Sequence, residues 1–176
     1  IFKKSLCKLI PIKENLVDKI WIRKSNLKAE KFYTLPKYAV GLNYEQKTKK
    51  IIKILKKLKV DFQFISSGEN VSWLLNIRGK DSEFSPITNA YLALDVNMRI
   101  TLFCDLKKID TSFKKKFKDI VFVDIKFLEL FLSKIKGKNI LIDPKTCSVF
   151  FENSLKKNNT IKFFDPISIL KSIKSK

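Results

Sequence analysis

The segment from Ser66 to Leu94, SSGENVSWLLNIRGKDSEFSPITNAYLAL, holds the densest group of side chains able to do chemistry. Trp73, Leu74 and Leu75 run into Asn76, Arg78, Gly79, Lys80, Asp81 and Glu83, so an apolar helix ends in a polar loop carrying one of only three arginines. Two readings stand side by side. In one, Asn76 and Gly79 end the helix and Arg78 pairs with Asp81 or Glu83 to tie down the loop. In the other, Arg78 and Asp81, with Trp73 and Asn76 beside them, face a cleft or a domain interface and meet a charged partner or substrate.

Elsewhere the residue types exclude more than they offer. The chain has no histidine, which removes Ser-His-Asp and Cys-His nucleophile pairs, HExxH and Cys2His2 zinc sites and the two-His-one-carboxylate iron site. No catalytic residue and no metal ligand set is assigned. Asp95, Asp105, Asp124, Asp143 and Asp165 fall near expected strand ends, where carboxylates can gather around a hard cation. Aspartate is also favoured there for its turn and cap geometry, and that reading is the stronger. The four glycines, at 41, 68, 79 and 137, are too scattered for a phosphate loop. Cys7, Cys104 and Cys147 are odd in number and far apart, which argues against a disulfide framework and for a reducing compartment.

The formal charge is +20, from 37 basic and 17 acidic residues, and all the basic residues except Arg23, Arg78 and Arg99 are lysine. Nucleic-acid readers lean on arginine, whose planar fork matches phosphate and guanine edges. The lysine-rich runs at 47–50, 56–59, 113–118 and 156–157 are dispersed, which favours a solvated coating over a working anion-binding patch. Phe113 and Phe117, four apart in one such run, fit a buried helix face better than a base-stacking surface. No segment reaches the roughly 18 uninterrupted apolar residues of a membrane span. With 45% hydrophobic and 31% charged residues in 176 positions, one globular domain is expected.

These residues need elements to hold them. Residues 1–40, interrupted by Pro11 and Pro36, read as a connecting arm from a preceding domain, with the α/β domain over 41–176. Ile51, Ile52, Leu55 and Leu58 share one face of a helix from Tyr44 to Lys59, with lysines largely on the other. A strand over 60–66, a helix over 69–76 capped by Ser67 and a loop over 77–86 follow. Strands at 89–95 and 99–105 form a hairpin. A helix at 111–117, a strand at 119–124 and a helix at 125–136 come next, the last with Phe127, Leu128, Phe131, Leu132 and Ile135 inward and Gly137 as its stop. A strand at 139–143, a helix at 145–157, a strand at 160–165 and a helix opened by Pro166 complete the chain. Strands alternating with helices predict an α/β fold, a mixed β-sheet flanked by helices on both faces.

Several strings then resemble a known family: Asn15 to Trp21; Gly41-Leu42-Asn43-Tyr44 before a lysine-rich helix; Trp73-Leu74-Leu75-Asn76-Ile77-Arg78-Gly79-Lys80-Asp81 with Pro86 following; Thr101 to Asp105; Ile140 to Asp143; and Asp165-Pro166-Ile167. In order and spacing they are similar to the middle domain of three-domain Xaa-Pro aminopeptidases. One pair departs, since similar sequences often have Leu-Asp where Gly68-Glu69 stand. The resemblance implies a creatinase/prolidase N-terminal-like fold and a non-catalytic role in a cytoplasmic metallopeptidase. In such enzymes a C-terminal pita-bread domain of the same chain holds two divalent metal ions, usually manganese, on two Asp, one His and two Glu, and hydrolyses the bond before proline. This chain would shape access to that site and support a homodimer. The start at Ile1 and an amphipathic pattern still running at its end are what a domain within a longer protein would have. The alternative function is a basic binding module for an acidic protein or nucleic acid.

Overall fold

Period-two alternation decides which side chains enter which layer of this molecule. The computed structural model describes residues 7, 10, 12, 14–21 and 30–173. Its elements, in chain order, are α1 (Leu16–Ile20), β1 (Tyr33–Thr34), α2 (Tyr44–Lys57), β2 (Phe62–Ile65), α3 (Gly68–Leu75), β3 (Ile77–Arg78), β4 (Tyr91–Asp95), β5 (Ile100–Cys104), α4 (Thr111–Lys116), β6 (Ile120–Asp124), α5 (Leu128–Lys134), β7 (Asn139–Ile142), α6 (Val149–Lys156), β8 (Thr160–Phe163) and α7 (Pro166–Ser172). Six strands form one sheet in the order β6-β5-β4-β2-β7-β8. Only β4 runs against its neighbours, antiparallel to both β2 and β5, while the pairs β5/β6, β2/β7 and β7/β8 are parallel.

Because successive strand side chains point to opposite faces, Leu92, Leu94, Ile100, Leu102 and Leu141 join one core, with Ile51 and Leu55 of α2, Val71, Leu74 and Leu75 of α3, and Ile167 of α7. Their strand neighbours Ala93, Phe103, Ile140 and Ile142, with Phe62 and Phe64, join a second core under Leu128 and Leu132 of α5 and Leu155 of α6. The sheet is thus mixed and covered by helices on both faces, as the alternation of elements predicts.

Caps set most boundaries. Asn43 and Gln46 form a reciprocal capping box at the start of α2, Ser67 caps α3, and Pro166 opens α7 in its first turn. Three expectations are corrected. The helix expected over 125–136 begins as a 3₁₀ turn at Ile125–Phe127, capped by Asp124, which shifts the helical phase and leaves Phe127 exposed rather than inward. The helix expected from residue 145 starts at Val149, because Asp143 accepts the Lys145 N–H and the Thr146 hydroxyl and holds residues 143–147 in a turn. The loop expected over 77–86 opens with β3, which pairs antiparallel with β1.

That pairing anchors residues 33–34 to β3, just after the end of α3. Phe32 is buried in the first core, and its N–H donates to the Lys108 carbonyl at 2.9 Å. Of the expected connecting arm, residues 1–6, 8, 9, 11, 13 and 22–29 lie outside the described residues, as do residues 174–176.

Candidate functional site

The end of α3 is built by Asn76. Its backbone is left-handed, with φ at 56°, a conformation that asparagine tolerates better than most residues, and it stops the helix. Its side chain then joins separate segments: Nδ2 donates to the Leu42 carbonyl at 2.9 Å, and Oδ1 accepts from Lys47 Nζ at 2.5 Å. Lys47 also donates to the Trp73 carbonyl at 2.7 Å and lies 4.2 Å from the centre of the Trp73 indole.

Lys47 is 6% exposed. Lys47 thus departs from the solvated coating expected of the run 47–50, whose Lys49 and Lys50 are exposed. On α2 the buried positions 47, 51 and 55 recur every fourth residue, so the apolar stripe of the helix begins with a lysine. The spacing from Ile51 and Leu55 was the available signal. Burial, and secondarily the Arg78 guanidinium, push the Lys47 ammonium down from its ordinary value of 10.5 to about 8.

Arg78 is half-buried at the end of β3. Its Nη1 donates to the Ser72 carbonyl at 3.0 Å and its own neighbour's, that of Ile77, at 2.9 Å. Neither Asp81 nor Glu83 pairs with it among the described residues. Arg78, Trp73 and Asn76 instead line one open cleft of about 350 Å3 together with Lys47, Lys50 and Lys171, with Val40, Leu42, Leu170 and Ile173 as apolar wall. No acidic residue lines it among the described residues. Lys171 reaches out of the cleft to Glu69 at 2.5 Å and to Asn70 Oδ1 at 2.9 Å.

Asp81 is engaged elsewhere. Its Oδ1 pairs with Lys108, and its Oδ2 accepts the Asn89 N–H at 2.7 Å. Three of the four expected site residues therefore come together, and the fourth closes the loop against the segment after β5. Gly68, the departure noted at the start of α3, has a steric reason: a Cβ there would lie 2.1 Å from the Thr88 carbonyl oxygen. Glu69 beside it keeps a carboxylate in the first turn.

The strand-end aspartates do local work. Asp95 accepts from the N–H groups of Asn97 and Arg99, and Asp105, Asp124, Asp143 and Asp165 each accept the N–H two residues on. No group of three or more His, Cys, Asp or Glu able to hold a metal ion occurs among the described residues. Burial pushes the Cys104 thiol up to about 12 and raises that of Cys147, so neither offers a ready thiolate. No helix among the described residues is long and apolar enough to cross a membrane.

The fold and cleft define a mixed α/β domain that offers a cationic surface recess rather than a set of metal ligands. Residues 23–176 match the model of the creatinase/prolidase N-terminal domain, and the chain belongs to that family. Xaa-Pro aminopeptidase 1 of Dictyostelium discoideum is 30% identical over 173 residues, covering 92% of this chain and 27% of that protein. Xaa-Pro aminopeptidase ApepP of Drosophila melanogaster is 29% identical over 177 residues, covering 96% and 28%. The chain thus spans little more than a quarter of the length of these relatives. The crystal structure of X-prolyl aminopeptidase from Caenorhabditis elegans, described as a cytosolic enzyme with a di-nuclear active site, superimposes with a TM-score of 0.80 at 23% identity, over 94% of this chain and 28% of that one. The N-terminal domain of the cytoplasmic peptidase PepQ from Mycobacterium tuberculosis gives 0.53 at 16% identity, over 71% and 97%.

Proposed function

We propose that this chain is the non-catalytic domain of a cytoplasmic Xaa-Pro aminopeptidase-like metallopeptidase that removes the residue preceding an N-terminal proline. The observation that carries this reading is the family match across residues 23–176 in a chain that spans about a quarter of its aminopeptidase relatives. Residues 1–40 then lead in from a preceding domain, and a pita-bread domain beyond residue 176 supplies the dinuclear metal site, with manganese the expected metal. The described residues of this chain do not fit such a metal pair, because the strand-end carboxylates are spent on turns. Its contribution is positional: it packs against the catalytic domain, narrows the approach to short or flexible peptides, and supports a homodimer.

Trp73, Asn76 and Arg78 are the residues of this domain that face the peptide or the neighbouring domain, and Asp81 holds their loop in place. The full-length protein loaded with manganese is expected to cleave an Xaa-Pro peptide. Arg78→Ala in that protein should impair turnover or domain docking. Unchanged kinetics together with unchanged stability would remove Arg78 from the role, and absence of Xaa-Pro cleavage at any metal loading would remove the enzyme reading.

A further inference from the structure

Lys47 is a buried cation without an anion among the described residues. Of its three N–H donors, two go to uncharged oxygens, the Trp73 carbonyl and Asn76 Oδ1, and no carboxylate pairs with it among the described residues. Arg78 beside it spends only Nη1 on protein, so its Nε and Nη2 donors have no partner among the described residues. Two other partly buried lysines do receive an acid, Asp81 for Lys108 and Glu69 for Lys171, while Lys162 donates to the Leu58 carbonyl. Removing a cation from water without a counter-charge is costly. Two such cations side by side, in a cleft whose described lining holds no acid, leave a place for an anion brought from outside.

The shape and chemistry narrow what that anion is. The unused edge of Arg78 is a planar fork that matches the two oxygens of a carboxylate, and Lys50 stands exposed on the same rim. Trp73, Leu170 and Ile173 make an apolar part of the wall. At about 350 Å3 the recess lies at the small end of ligand sites.

We propose that this cleft binds a carboxylate attached to an apolar group, with the carboxylate between Arg78 and Lys50 and the apolar part against Trp73. The site rests on the part of the proposed function that leaves Trp73 and Arg78 facing a ligand rather than a neighbouring domain, and its binding is read apart from Xaa-Pro cleavage. The charged groups around Lys47 are Lys50 on its own helix, Arg78 on β3, and Lys171 on α7, the last already paired with Glu69 on α3. A ligand carboxylate adds the missing negative charge to this set.

The test uses the full-length protein with Trp21→Phe, so that within this domain Trp73 is the reporting indole. Saturable change in its fluorescence is followed with 4-phenylbutyrate, with the uncharged 4-phenylbutyramide, and with the blocked peptide acetyl-Leu-Glu-Leu-amide. At least one of the two acids is expected to bind about tenfold or more tightly than the amide, and the one that does tells a free acid from an acidic side chain. Lys50→Glu, at an exposed position that the fold does not depend on, should weaken that binding about tenfold, and affinity should fall between pH 7 and pH 9 as Lys47 loses its proton. Lys47→Met removes the pH dependence if it folds; Lys50→Glu decides the matter if it does not. Equal binding of acid and amide, affinity within twofold in Lys50→Glu, or no saturable signal with either acid overturns the proposal.

Discussion

Two lysines, Lys47 and Lys108, are both drawn out of solvent, and the domain treats them differently. Lys108, whose side chain is 13% exposed, meets the carboxylate of Asp81, itself 16% exposed, near the Phe32 ring. Lys47 meets two carbonyl-type oxygens and an indole face. An ion pair removed from water is closed upon itself and has little left to offer a partner. A cation held by neutral acceptors keeps its charge available. The Asp81 corner is therefore built to lock the loop after β3, and the Lys47 corner to present positive charge to a cleft.

Substitution should separate the two corners. The largest effect is expected at the closed one: Asp81→Ala strands Lys108 and removes the acceptor of the Asn89 N–H, for a loss of about 3 kcal/mol in urea unfolding. Asp81→Asn, which keeps an acceptor for Asn89, should cost less. If Asp81→Ala is silent, the contrast between the corners fails. Asn76→Ala comes next, at about 2 kcal/mol, since it puts alanine at positive φ and removes the bonds to Leu42 and Lys47. Asn76→Gly relieves the backbone part alone and should recover some of that loss.

Lys47 is distinguished by pH. Its pKa in the folded chain, about 8, lies below the ordinary 10.5, so between those values the unfolded chain binds more protons and stability should rise with pH. The slope is at most about 1.4 kcal/mol per pH unit. Melts of the parent and Lys47→Met across pH 7–10 check this, and a slope that persists in Lys47→Met would assign it to another group. Well below pH 8 the ammonium is fully charged in both states and this gain is absent.

The smallest effects belong to the lysine coating. Replacing Lys53 or Lys56, both exposed on α2, with Gln should change stability by less than about 0.5 kcal/mol. The same coating should give DNA affinity that collapses with salt, or none at physiological salt. Tight binding there would favour the basic-module alternative and extend the role of the cleft to the whole surface.

Wherever a feature depends on a few neighbouring residues, the chain announces it. The Ser67 cap, Pro166 in the first turn of α7, the hairpin between β4 and β5, and the aspartates that accept the N–H two residues on are all local. The mixed sheet follows from alternation, and the family resemblance lies in short strings whose order is visible without coordinates. Phe127 was misplaced because its apolar character fits an inward helix position, whereas the 3₁₀ turn that moves it outward depends on the Asp124 cap. The segment 30–34 was hidden because its strand has only two residues and its partners, Arg78 for Tyr33 and Ile77 for Thr34, are far along the chain.

The candidate site divides along the same line. Trp73, Asn76 and Arg78 stand out by type and spacing on one short stretch, and the sequence by itself marked them, as it marked the α/β layers and the family. Tertiary structure alone decided that Asp81 leaves the group for Lys108, 27 residues on, and that Lys47, 26 residues before Trp73, joins it. Chain spacing governs hydrogen bonds within a turn or a cap. The partner of a buried charge is chosen by whatever acceptors folding places around it, and those come from segments that approach one another only when the core has formed.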